Sequence, residues 1–91
     1  MFDIENMFTN ESNEDIISFY ASKANSVSII KLDMLFNQFK YSATEKGGLL
    51  LIVRQMSHDN ILETRNHPMI YFKGSHWKEP AFMTEKKYGI E

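Results

Sequence analysis

Four polar side chains fall in one short step of the chain, Lys40, Ser42, Thr44 and Lys46. Three more cluster in a charged loop, Arg65, Asn66 and His67, with Lys73 a few residues further on. Hydroxyls and cations of this kind meet phosphate oxygens, while Asn and Arg hydrogen-bond base edges. The chemistry they offer is recognition of an anionic polymer, and no catalytic motif competes with it. Lys46-Gly47-Gly48 lacks the flanking Gly and Ser/Thr of a phosphate-binding loop. Ser57, His58 and Asp59 are chain neighbours, whereas the members of a catalytic triad converge from separate segments. His58, His67 and His76 follow one another at intervals of nine, which matches no simple ligand pair on a helix, although they are candidates for pH sensitivity. The expectation is a chain that is not an enzyme and holds neither cofactor nor metal.

Elements must position these residues. Ser12 or Asn13 offers an N-cap, Glu14 and Asp15 suit a first turn, and Ile16, Ile17, Phe19 and Tyr20 begin an apolar face, which predicts a helix over 13–24. Ile29, Leu32, Phe36 and Phe39 make a helical stripe, yet Ile30, Leu32, Met34 and Phe36 alternate as a strand would. Length favours the helix, because a stretch of fourteen residues without Gly or Pro is long for a strand. Ser42 or Thr44 then caps a third helix that buries Leu49, Ile52, Val53 and Met56 on one face. The competing reading makes 44–48 a hairpin loop, since Gly-Gly costs a helix roughly 2 kcal/mol relative to Ala-Ala. Residues 61–62 and 69–72 read as strands around a turn at 64–68, with Pro68 where no ladder donor is required. Past Gly74 the pattern dissolves; Trp77, Phe82 and Tyr88 are available to pack back on the body, and Lys86 and Lys87 are expected in solvent.

That order predicts an α+β fold, a winged helix of three helices plus a β-hairpin wing, with an acidic N-terminal arm. The alternative is a helix packed on an antiparallel β-meander. Residues 14–73 resemble a winged helix-turn-helix domain, similar in size to the small bacterial regulators of pilus operons. The similarity rests on a second helix ending in Phe39, a Ser-x-Thr start at Ser42 and Thr44, Leu49 and then Ile52 or Val53, and a wing closing on Ile70, Tyr71 and Phe72. Two departures stand out. Ser57 to Asn60 occupies the place where the family usually has Gly, although Asn60 can take the left-handed conformation. Lys46 stands alone where the family usually carries two or more Arg or Lys. The resemblance implies DNA contacts from Ser42, Thr44 and Lys46 at the start of a recognition helix, from Arg65, Asn66 and His67 at the wing tip, and from Lys40 and Lys73 on phosphates. The same residues would otherwise be solvated turn residues, with Thr44 a simple cap.

Ninety-one residues with 43% hydrophobic content suit one domain and one small core. Boundaries fall at 1–12 for the arm, 13–74 for the winged-helix domain and 75–91 for a C-terminal extension. Before Lys23 there are five acids and no base, whereas the rest holds all ten bases against seven acids. Phe2, Ile4, Met7 and Phe8 make the arm too apolar to be a pure solubility tag, and they are expected to dock on the body or on a second copy of the chain, the alternative being a partially ordered arm. No run of about 18 apolar residues or secretory signal is visible, so the expected place is the cytoplasm, with no membrane role. The function read from these features is a small DNA-binding transcriptional regulator or accessory factor, acting with a protein partner or as a homodimer. Its rival is a phage- or plasmid-type interaction protein that modulates a host protein without binding DNA. A pI near 5.9 lies below the basic footprint of an autonomous nucleic-acid binder.

Overall fold

The computed structural model describes residues 2–23 and 26–89. Asp3 caps α1 (Ile4–Asn10) by accepting the Asn6 N–H at 3.3 Å. Ser12 caps α2 (Asn13–Lys23), its hydroxyl oxygen accepting the Asp15 N–H at 3.2 Å, and Glu14 and Asp15 occupy the favourable first turn. The expected helix end at residues 24–25 lies outside the described residues. In α2, Ile16, Ile17, Ser18, Phe19 and Ala21 are all buried, because α1, α4 and β3 close around it.

Strand β1 is only Val27–Ser28, too short to leave any periodicity in the sequence. Ser28 then turns from extended backbone into the N-cap of α3 (Ile29–Phe39), its hydroxyl oxygen accepting the Lys31 N–H at 3.1 Å. Ile29, Leu32 and Phe36 are buried while Ile30 and Met34 are 65% and 67% exposed. A strand would have put Ile30, Leu32, Met34 and Phe36 on one face, so burial confirms the helical stripe.

Two 3-10 turns, Tyr41–Ala43 and Glu45–Gly47, separate α3 from α4 (Gly48–His58). Leu49, Val53 and Met56 are buried on α4 and Ile52 packs half-buried beside them, which excludes the β-meander alternative. The expected cap is corrected. The helix starts at Gly48, not at Ser42 or Thr44, and no side chain caps it. The Gly pair that weakens a helix interior here stands at its entrance. Gly47 has φ +72°, and a Cβ on Gly48 would lie 2.8 Å from the Ala43 carbonyl oxygen, so the close approach is to the chain's own backbone.

After α4, Asn60 takes φ 64°, as its side chain permits. Strand β2 (Leu62–Glu63) pairs antiparallel with β3 (Ile70–Lys73), Leu62 opposite Lys73, and β3 pairs on its other edge with β1, Val27 opposite Tyr71. The sheet order is β1-β3-β2. Last come α5 (Ala81–Thr84) and a 3-10 turn at Lys87–Gly89.

One core draws on every helix from α1 to α5 and on the sheet. Phe8 of α1 is fully buried, 5.0 Å from Phe36 and 5.3 Å from Phe39 between ring centres. Phe82 of α5 lies 5.7 Å from Phe19, and the Trp77 indole N–H donates to the Ser18 carbonyl at 3.1 Å. The Asp3 N–H donates to the Tyr88 carbonyl at 2.7 Å, and the Tyr88 hydroxyl donates to the Glu11 carboxylate. The radius of gyration is 12.4 Å, against about 12 Å for a compact chain of this length. The arm and the tail are therefore folded in. Among the described residues no helix is long and apolar enough to cross a membrane.

Burial pushes the Tyr20 phenol up to about 12. The fold thus favours the neutral phenol, while the unfolded chain ionises near pH 10. This contribution is complete below pH 10 and is lost as pH rises to 12. Since the ring is half-buried, water screening leaves about 1 kcal/mol of it. Urea unfolding at pH 10 and 12 should show Tyr20→Phe losing about 1 kcal/mol less than the parent across that interval. Parallel losses in the two proteins would show that Tyr20 is not the group responsible.

Candidate functional site

The residues singled out for phosphate and base contact are mostly engaged within the chain. Lys40 Nζ donates to the Glu11 carbonyl oxygen at 3.1 Å. The Thr44 hydroxyl lies 2.8 Å from both Asn37 Oδ1 and the Tyr41 carbonyl oxygen, so it closes a turn instead of capping α4. Arg65 Nε pairs with the Glu63 carboxylate at 2.9 Å, and its guanidinium lies 4.2 Å over the Phe72 ring. His67 Nδ1 accepts the Met69 N–H at 3.1 Å, which orders the loop before β3. Lys73 Nζ sits 4.7 Å over Trp77. Ser42, Lys46 and Asn66 are exposed and carry none of these contacts. Ser42, Thr44 and Lys46 lie together ahead of α4, and Arg65, Asn66 and His67 lie together in the 64–69 loop. His76 Nδ1 is 3.1 Å from the Asp59 carbonyl oxygen, a separate local contact, and among the described residues no group of three His, Asp or Glu is arranged to hold a metal.

The outward side of α4 is apolar over its first turns. Leu50 and Leu51 are 40% and 64% exposed, and Arg54 is the one Lys or Arg on the helix. Between α3 and α4 lies an open groove of about 360 Å³ whose walls are Ile30, Met34, Leu49, Leu50 and Met69, with Asp33 as its one charged residue. On the opposite flank of α4 a second hollow of about 410 Å³ runs over Leu51, Ile52, Met56 and Ile61 toward the start of α2.

These observations correct the expectation of DNA assisted by a protein or by a second copy of the chain. Lys40, Arg65 and Lys73 are each turned to a carbonyl, a carboxylate or an aromatic ring, and the first half of the helix assigned to base reading presents Leu50 and Leu51, with Arg54, Gln55 and His58 exposed further along. Tyr71 is buried, so its ring offers no face on which a base could stack. No protein-family model matches the chain, nor does any curated protein or any solved structure.

The groove residues were not singled out from the sequence, although a signal was present. Ile30 and Met34 stand four apart and off the buried stripe of α3, and the run Leu49-Leu50-Leu51-Ile52-Val53 holds more apolar residues than one helical face can bury. Excess of that kind marks surface set aside for something other than the core.

Proposed function

We propose that the chain is a winged-helix module used for capturing an apolar polypeptide segment and not for reading DNA. The winged-helix part of this reading is supported by the succession α2, α3, α4 and a β2–β3 hairpin, with β1 joining the sheet at the other edge of β3. The single observation that carries the functional part is the α3–α4 groove, where Ile30, Met34, Leu50 and Met69 expose large apolar side chains in one place. Groove walls rich in Met adapt to different apolar partners, because the side chain is unbranched and its sulfur is polarisable. An amphipathic helix or an extended apolar segment laid in this groove would find a preformed floor in Leu49 and Ile29.

The test is backbone-amide NMR of the full chain with a panel of amphipathic peptides, alongside a mobility-shift titration with duplex DNA at low salt. The expected result is shifts grouped on residues 29–34 and 47–50, lost in Ile30→Ser/Met34→Ser, with no retention of DNA. Replacing two exposed apolar side chains should weaken binding about ten-fold or more. Shifts grouped instead on Lys46 and the 64–68 loop, or a salt-sensitive DNA complex weakened by Lys46→Ala, would defeat this reading.

A further inference from the structure

The hollow on the other flank of α4 differs in charge from the α3–α4 groove. Its floor is Leu51, Ile52, Met56 and Ile61, and it continues into a neighbouring depression along the first turns of α2. Glu14 and Asp59 rim both parts, Asp15 rims the second, and Lys78 is the one Lys or Arg along either. None of these three carboxylates is in an ion pair among the described residues.

Helix-start stability accounts for Glu14 and Asp15, which lie where the α2 dipole favours negative charge. It does not account for Asp59. That residue is the C-cap of α4, the end at which a carboxylate opposes the helix dipole. Gln55, one turn earlier, donates from Nε2 to both Asp59 carboxylate oxygens at 3.2 Å and holds them at the rim. A carboxylate fixed against its own helix dipole, beside two more carboxylates and over an apolar floor, is suited to an incoming cation with an apolar body.

From this we infer a second docking site, between the C-terminal half of α4 and the start of α2, for a basic amphipathic polypeptide segment. Charge complementarity selects the occupant. Leu51, which is 64% exposed, and Ile52 take its apolar side chains, while Lys or Arg residues reach Glu14, Asp15 and Asp59. From residue 51 to residue 59 the α4 backbone rises about 12 Å, which matches two turns of a partner helix. Nucleic acid is disfavoured by the same carboxylates. The site stands independently of the α3–α4 groove.

Fluorescence anisotropy of a labelled 15-residue Leu/Lys amphipathic helix, with its Leu/Glu counterpart as control, tests the inference on the full chain. The Leu/Lys peptide should bind, more weakly as salt rises, and the Leu/Glu peptide at least about ten-fold less tightly. Glu14→Gln/Asp59→Asn should weaken Leu/Lys binding about five-fold and Leu51→Ser about ten-fold. Asp33→Asn and Ile30→Ser weaken only the share of the peptide that the α3–α4 groove takes and should leave the preference for Leu/Lys over Leu/Glu unchanged, so failure here is distinguishable from failure of the first groove. Asp59→Asn alone should leave the melting temperature unchanged or raise it by a few degrees, as relief of an unfavourable dipole contact predicts. Equal binding of the two peptides overturns the proposal. So does equal weakening by Asp33→Asn and by the Glu14/Asp59 pair, or no binding up to about 1 mM.

Discussion

Phe8→Ala is expected to lower the stability of the chain by about 4 kcal/mol, within the range for a fully buried Phe whose cavity cannot collapse. The ring has no exposed surface and is held by three aromatic neighbours, Phe36, Phe39 and Tyr20, with centroid distances of 5.0, 5.3 and 6.4 Å. Those neighbours come from α2 and α3, which are fixed by the sheet and by α4, so the void cannot be refilled cheaply. A domain of this size has roughly 5–14 kcal/mol to lose. The substitution should therefore lower the melting temperature by about 15–30 °C. Phe2→Ala, half-buried beside Phe19 and under Lys23, should cost much less. Removing residues 1–11 should act in the same direction and bare the Phe36 and Phe39 rings to hydrophobic dye. If Phe8→Ala melts within a few degrees of the parent, α1 is not part of the cooperative core.

Most of the helical skeleton was legible because the helices announce themselves through spacing. Leu49, Val53 and Met56 recur as one helical face requires, and Ser12 with Glu14 and Asp15 writes a helix start that the Ser12–Asp15 hydrogen bond confirms. The same is true of the hairpin, where Pro68 and the polar 64–67 stretch interrupt two apolar runs. Strand β1 was not legible, since two residues carry no period. Neither was the true start of α4, where backbone geometry outweighs side-chain capping: Lys46 at φ 55° and Gly47 at φ 72° bend the chain into Gly48 without help from Thr44.

The candidate sites were harder to read, for a reason that lies in side-chain contacts. Lys40, Arg65 and Lys73 look like free cations in a sequence, and only the fold reveals the Glu11 carbonyl, the Glu63 carboxylate and the Trp77 ring that occupy them. Conversely, Ile30, Met34 and Leu51 look like core residues until burial is known. Apolar excess is visible from spacing alone, but which neighbour leaves it uncovered depends on how α3, α4 and the sheet are stacked. Asp59 is a similar case: its meaning comes from being the C-cap of α4, an end that the apolar spacing of Leu49, Ile52, Val53 and Met56 does not fix.

Gly74 and Gly47 provide a test in which backbone propensity and tertiary contact predict opposite rankings. Gly47 sits at φ +72° with nothing within 4 Å of the place a Cβ would occupy, so an Ala there meets only conformational strain, about 1 kcal/mol. Gly74 has no left-handed backbone, and propensity alone would predict that Ala is harmless or mildly stabilising. Its Cβ, however, would fall 2.1 Å from the Asn60 carbonyl oxygen and 2.7 Å from its carbonyl carbon. Neither segment can yield easily. The Gly74 N–H donates to the Ile61 carbonyl and the His76 N–H to the Asn60 carbonyl, both at 2.8 Å, and Ile61 N–H is tied to Met56 at 2.9 Å. Making room separates the 74–76 segment from the end of α4 and loosens the adjoining Leu62–Lys73 pair. Overpacking against backbone together with two strained hydrogen bonds should cost about 3 kcal/mol. Gly74→Ala is therefore expected to melt about 12–24 °C below the parent and Gly47→Ala about 4–8 °C below it, with Ser75→Ala unchanged as a neighbouring control. The reverse order, with Gly47→Ala the more damaged, would mean that the 74–76 segment does not pack against Asn60 in solution.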